Sequence, residues 1–255
     1  MPARLRRPVE LIYRFARAAD DFADEGDLPD AQRLALLAGF GDELRRIERR
    51  EVAETALFRD LAPMIEERGL PLNLFHDLLS AFAQDVTCKR YADFNQVLDY
   101  CRRSANPVGR LLLVLYGAST ARNNAWSDSI CSALQLINFL QDIAIDYGIG
   151  RIYMPQDELA RAGVSEAQIG AQIANQAWVD FMRFQVERAR HMLLQGAPLA
   201  RVLEGRVGLE MRMIIAGGER ILNKIRNAGY DVFRHRPVLR SHDWALMFAR
   251  TFSIR

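Results

Sequence analysis

Little in this chain points to covalent cross-links, bound clusters or a bilayer. Its 255 residues include three cysteines, Cys88, Cys101 and Cys131. That odd number, widely spaced and with no C-x-x-C pair, suits reduced thiols packed in an interior and gives no sign of redox chemistry or zinc. The histidines, His76, His191, His235 and His242, show no H-E-x-x-H spacing. No run reaches the ~18 to 20 apolar residues that a spanning helix needs, and the basic start MPARLRRPVE leads into no apolar signal core. Both absences argue against secretion and membrane spanning. Charge of one sign is missing too: 34 basic and 32 acidic side chains leave a net charge of +2, so no global field draws nucleic acid. There is no P-loop and no G-x-G-x-x-G, so neither phosphate nor a nicotinamide dinucleotide has a glycine-rich backbone cradle. Convincing alternating strands, low-complexity tracts, long linkers and internal repeats are also lacking.

What is present is helical periodicity. Hydrophobic residues make up 50% and charged residues 26% of the chain, the balance of an ordered globular protein, and the length favours one large domain over two small ones. Apolar residues recur at three- and four-residue intervals in LIYRFARAADDFA, DAQRLALLAGFGDELRRIERR, LNLFHDLLSAFAQDV, NPVGRLLLVLYG, AWVDFMRFQVERARHMLL and EMRMIIAGGERILNKIRNAG. Breakers separate these blocks at Gly26 to Pro29, Gly69 to Pro71, Asn106-Pro107, Gly148 to Gly150, Gly196 to Pro198 and Gly229. The expectation is an all-α fold of roughly ten helices.

Two blocks echo each other: Asp20 and Asp24 in DDFAD repeat the D-x-x-x-D spacing of Asp142 and Asp146 in DIAID. At about 100° per residue, Tyr13, Arg17, Asp20 and Asp24 share an arc of roughly 60°, and Asn138, Asp142 and Asp146 one of about 80° with Gln135 at its edge. Around the second stripe lie Leu134, Leu136, Ile137, Phe139, Leu140, Ile143 and Ile145, and no Lys or Arg occurs between residues 128 and 150. A solvated helix edge usually mixes cations among its acids, so this narrow stripe is not an ordinary one. Carboxylates one turn apart repel when ionised, and burial adds to the cost, so something positive is expected between them. A hard divalent cation such as Mg²⁺, bound through carboxylates and substrate phosphates, fits. Each pair alone is as open to surface ion pairing as to ligation. Taken together, two facing pairs would clamp a diphosphate and help it leave, generating a carbocation in an apolar cavity.

These motifs resemble those of the squalene/phytoene synthase family, head-to-head prenyltransferases with an all-α isoprenoid synthase fold: a helical bundle around a central cavity. YRFARAADDFADEGD is similar to the family's first aspartate motif and ALQLINFLQDIAIDYGIGRIYMPQ to its second, while YCRRSANPVG and AGYDVFRHRPVL are similar to two further shared segments. The likeness runs over essentially the whole chain, residues 1–255, and implies an upstream flap that in relatives precedes the segment matching MPARLRRPVE. It implies Mg²⁺ at Asp20, Asp24, Asp142 and Asp146, catalytic roles for Tyr13, Arg17, Asn138 and Tyr153, and substrate contacts from Arg17, Tyr100, Val108, Gln135, Asn138, Arg151 and Arg236. Guanidinium groups suit diphosphate because they stay charged and offer a rigid fork of donors. For Arg17 the plain alternative is an ion pair with Asp21, Asp24 or Glu25; for Arg236, in RHRPVLR, it is a solvated turn.

Within the family, SANPVG, DDFADEGD and Gln141 resemble the branch that ionises presqualene diphosphate and lets water trap the rearranged cation as hydroxysqualene. A different protein then performs the reduction, which implies coupling to a presqualene diphosphate synthase and a hydroxysqualene reductase. The cation's walls would come from Phe15, Val108, Leu111, Leu112 and Phe139, and the water could be oriented by Tyr100, Tyr153, Asn138 or Gln135. The alternatives are condensation to presqualene diphosphate, phytoene or dehydrosqualene, or a noncatalytic assembly protein of the same fold. A cytoplasmic location is expected, with PARLRRP available to touch anionic head groups at the inner membrane.

Overall fold

The computed structural model describes residues 3–24, 26–241, 243, 244 and 247. Glu25, one proposed partner of Arg17, and His242 lie outside the described residues, as does Pro2 of the basic start. Among the described residues the regular structure is helical: α1 (Ala3–Asp24), α2 (Asp30–Glu48), α3 (Ala56–Arg68), α4 (Leu72–Thr87), α5 (Phe94–Ser104), α6 (Asn106–Leu115), α7 (Ala121–Gly148), α8 (Gln156–Arg161), α9 (Glu166–Gly170), α10 (Gln176–Gly196), α11 (Leu199–Val202) and α12 (Gly205–Asn227). An isolated parallel bridge joins Arg90 and Ile152. The expected breakers fall at helix ends, and three of the twelve helices, set against the roughly ten expected, are short pieces: α8, α9 and α11. Pieces of four to six residues are too brief to show a helical period.

Contacts divide the chain into two compact units that alternate along the sequence. The first comprises residues 1–88 and 100–124, the second residues 89–99 and 125–255. In the first unit, α1 packs against α2, α3 and α4, and α4 against α6. Its centre is aromatic: the fully buried Phe15 ring meets Phe75 at 5.2 Å, Phe40 at 5.7 Å and Phe58 at 5.8 Å between centroids. Each such ring stabilises the fold by about 1.5–3 kcal/mol relative to an exposed one. Helix α3 has no side-chain cap from its own N-cap residue, Thr55. Instead the buried Glu43 of α2 accepts hydrogen bonds from the backbone N–H groups of Glu54 (3.0 Å) and Thr55 (2.7 Å), so two orphan donors and one buried carboxylate satisfy one another. At the other end Gly69 takes φ +59°, and the N–H of the buried Leu70 closes onto the Ile65 carbonyl at 3.0 Å. Only glycine enters that left-handed conformation without steric cost.

The second unit is organised on α7. A Cβ added at Gly218 of α12 would stand 2.8 Å from Leu193 and 3.2 Å from Ile137 and Leu134, and one at Gly196 would stand 2.5 Å from the Trp126 carbonyl oxygen. Small residues there let α12 and α10 approach α7 closely. After α12 the chain runs without helix from 231 to 240, held at several points. The Trp178 indole N–H donates to the Tyr230 carbonyl at 3.0 Å, and Lys224 Nζ to the Val238 carbonyl at 2.8 Å. The fully buried carboxylate of Asp243 pairs with Arg220 (2.6 Å) and Lys224, and accepts from the Arg240 N–H at 2.7 Å.

Candidate active site

In the first unit, the α1 stripe emerges as the spacing implies. Tyr13 is 66% exposed, Arg17 and Asp24 are exposed and Asp20 is half-buried, while Leu11, Ile12, Phe15 and Ala19 turn into the core. Arg17 reaches Asp21 at 2.7 Å and Asp20 at 3.4 Å, so the ion pair expected as the plain alternative is present. Exposed pairs of this kind are worth little and can exchange for another anion. The turn after the motif is fixed by Arg33, whose guanidinium donates to the carbonyls of Phe22 (3.2 Å) and Leu28 (2.9 Å) and to that of Gly26.

Tyr100, read as a substrate contact, is buried, and its hydroxyl donates to the buried carboxylate of Asp85 on α4 at 2.6 Å. Of the proposed wall residues in this unit, Phe15 and Leu111 are fully buried members of the core, whereas Val108 and Leu112 are partly buried against it. The geometry gives Phe15 and Leu111 a packing role.

In the second unit, Asn138 is exposed and Gln135, Asp142 and Asp146 are half-buried, while Leu136, Ile137, Phe139, Leu140 and Ile143 are buried. The polar stripe therefore lies on a helix that is core-facing elsewhere. Of the apolar residues around the stripe, Ile145 is the exception, being 53% exposed. Helix α7 is near its end there, and Ile149 one turn on is also exposed.

Arg236 stands in a non-helical stretch and is half exposed, as the solvated-turn alternative has it, but it is not solvated alone: its Nε donates to Asp142 Oδ1 at 2.6 Å, with side-chain exposures of 50% and 14% respectively. The hydrogen bond it donates to Asp142, followed by the negative charges of Asp142 and Asp146, holds the guanidinium above its ordinary pKa against the opposing effect of burial. Next to Asp142 along α7, Gln141 Nε2 donates to the Pro237 carbonyl at 2.7 Å. A cation thus stands against a stripe whose own stretch of sequence supplies none.

Beyond α7, Gly150 turns the chain at φ +82°, and the Arg151 N–H bonds back to the Asp146 carbonyl at 2.8 Å. Arg151 and Tyr153 are both buried. Tyr153 stacks almost parallel on Phe139, 3.9 Å between centroids and 6° between planes, with Tyr91 on it at 5.6 Å. Sequence reasoning missed the support for this segment. Arg90 donates to both oxygens of Glu166 (2.7 and 2.8 Å) and to the Gly150 carbonyl at 2.5 Å, and the Ile152 N–H bonds the Lys89 carbonyl at 3.0 Å. The Glu166 bond holds Arg90 above its ordinary pKa and Glu166 below its own. Asp85, Arg90 and Tyr91 lie outside the motifs and were missed as site-supporting residues; Gln141, inside one, was noted only as a mark of the branch.

The donor chemistry suits a hard divalent cation. Each aspartate pair offers oxygen ligands one helical turn apart, and Arg236 already supplies positive charge to one of them. Among the described residues, no group of three or more His, Cys, Asp or Glu side chains stands clustered as a ready metal site. Two of the histidines make side-chain bonds away from the aspartate stripes: His76 with Glu48 of α2 at 3.2 Å and His191 with Gln195 at 2.9 Å.

An all-helical fold carrying two D-x-x-x-D faces defines a class, and comparison with known proteins assigns it. Residues 1–243 match the squalene/phytoene synthase family model, and the chain belongs to that family. It is 37% identical over 225 residues to the hydroxysqualene synthase of Rhodopseudomonas palustris, covering 88% of this chain and 75% of that protein. The 15-cis-phytoene synthase of Synechococcus elongatus is 30% identical over 250 residues, covering 92% of this chain and 80% of the relative. The crystal structure of squalene synthase HpnC from Alicyclobacillus acidocaldarius superposes with a TM-score of 0.82 at 35% identity, covering 88% of this chain and 84% of that one. The all-α isoprenoid synthase expectation holds. No described helix is long and apolar enough to cross a membrane.

Proposed function

We propose that this enzyme ionises presqualene diphosphate and lets water capture the rearranged cation, releasing hydroxysqualene, diphosphate and a proton. The observation that carries the reading is the Gln135–Asn138–Asp142–Asp146 stripe on an otherwise core-facing helix, met by Arg236. Identity to a hydroxysqualene synthase across most of the chain supports the choice within the family. In the reaction the C–O bond to diphosphate breaks with its electron pair leaving on oxygen, and a new C–O bond forms from a water lone pair. No hydride enters, so no reductant is required.

Asp20, Asp24, Asp142 and Asp146 are the residues that would hold Mg²⁺, whose charge, when bound, would stabilise the departing diphosphate. Arg17, Arg151 and Arg236 bind diphosphate oxygens through charge-assisted hydrogen bonds. Tyr13, Gln135 and Asn138 bind and orient the polar end of the substrate beside the aspartates. The stacked faces of Phe139 and Tyr153 support the cation and exclude bulk water. Tyr100, its hydroxyl proton directed at Asp85, offers oxygen lone pairs to the incoming water, with Val108 and Leu112 beside the hydrocarbon. The two-chain lipid substrate must be drawn from a bilayer, so Arg4, Arg6 and Arg7, exposed on α1, make peripheral contact with anionic head groups. Coupling to a presqualene diphosphate synthase and to a hydroxysqualene reductase follows from the same chemistry.

The test is direct. Purified protein with Mg²⁺ and presqualene diphosphate, without NADPH, should give hydroxysqualene by mass spectrometry. Phytoene from geranylgeranyl diphosphate, or no product from either substrate, would overturn the assignment.

A further inference from the structure

We infer that Gln141 is a positioning residue: by holding the Pro237 carbonyl it sets the guanidinium of Arg236 against Asp142. The inference rests on the reading of Asp142 as part of the diphosphate site. Two successive residues of α7 engage two successive residues of the stretch after α12, Gln141 to Pro237 at 2.7 Å and Asp142 to Arg236 at 2.6 Å.

Proline fixes its own φ and carries no N–H, so its carbonyl is the backbone group by which this point can be tied down. The tie matters because Arg236 is half exposed. A long, exposed cation gains little from an ion pair, since holding one geometry costs it rotamer freedom. Anchoring the adjacent backbone removes part of that freedom in advance. Further ties at Tyr230 and Val238 leave the intervening backbone little latitude. Asp142 engages Nε of Arg236, so among the described residues the two terminal amino groups can serve a second anion. Arg236 is thereby placed where an arriving diphosphate meets a preset donor, and a small loss of placement weakens that contact.

Three variants test this: Gln141→Met and Gln141→Glu, which lack the donor, and Arg236→Met. In metal-free protein, the ¹⁵N resonance of the Arg236 Nε–H should be protected from exchange in the wild type and lose that protection in both Gln141 variants. Affinity for inorganic pyrophosphate with Mg²⁺, by calorimetry, should fall about three- to tenfold in Gln141→Met, as loss of one hydrogen bond implies, and more in Arg236→Met. The double variant Gln141→Met/Arg236→Met should bind no more weakly than Arg236→Met alone, because a residue acting only through another is silent once that other is gone. Unchanged protection, or additive losses, would overturn the inference. Should the wild type bind no pyrophosphate while the Gln141 variants still release Arg236, the wiring stands and the diphosphate reading falls.

Discussion

Arg236 and Asp142, 94 positions apart in sequence, form a 2.6 Å hydrogen-bonded ion pair on the helix that carries the second aspartate motif. Each helps the other to bear charge at a partly buried site, and the same carboxylate is the one proposed for the diphosphate chemistry.

Asp142→Asn keeps the shape and removes the charge. Turnover of presqualene diphosphate should drop by at least about 100-fold, the scale of losing one preorganised electrostatic group. The melting temperature should stay within roughly 4 °C, because Arg236 is half exposed and stays hydrated when the carboxylate charge is lost. Product formation by mass spectrometry and a thermal melt on the same preparation check both.

Arg90 supports the turn at Gly150 with a fork of donors, two of them on Glu166. Arg90→Lys retains the charge and loses the fork. We expect kcat/KM to fall roughly tenfold through misplacement of Arg151 and Tyr153, without loss of helical circular dichroism. Steady-state kinetics would reveal wild-type values if the support is dispensable.

Asp243 is held well below the usual carboxylate range: burial acts to raise it, and the Arg240 N–H with Lys224 and Arg220 outweighs that effect. A depressed folded-state pKa contributes stability that is present above the unfolded value, about 3.9, and is lost as pH falls toward the folded one. The stability advantage of wild type over Asp243→Asn should therefore be largest near neutral pH and shrink below about pH 4. Urea titrations at pH 7 and pH 3 measure it.

Glu43→Ala removes the acceptor for the Glu54 and Thr55 N–H groups. Losing two hydrogen bonds to a carboxylate, while water can reach the exposed residues that donate them, should cost about 1–2 kcal/mol, read as a lowered urea midpoint with an unchanged slope.

Fold class was legible because helical periodicity is written locally, in Leu, Phe and Ile at three- and four-residue steps, and because Gly69 and Gly150 stop helices by their own backbone preferences. The α7 stripe was legible for the same reason. What escaped depends on partners far apart in the chain. Nothing in RHRPVLR announces that Arg236 meets Asp142, and nothing near Tyr100 announces Asp85, because an ion pair or a buried hydroxyl bond leaves no period. The exposure of Ile145 was not legible either, since periodicity gives a helix face without saying where along its length cover ends. Phe15 shows the converse: it was named as a candidate wall of the cavity, and three other rings pack it into the core.

The alternation of the two units along the chain bears on how the protein is made. A ribosome releasing the polypeptide from its amino end delivers α1 to α4 well before α6, the helix that packs on α4. Helices α1 and α2 can already pack on α4, but the part of its surface that α6 covers stays open until some thirty further residues have been translated, a wait of a few seconds at ordinary synthesis rates. During that interval the nascent chain is a natural client for a holdase chaperone, and slowing translation upstream of residue 106 would lengthen its exposure to aggregation.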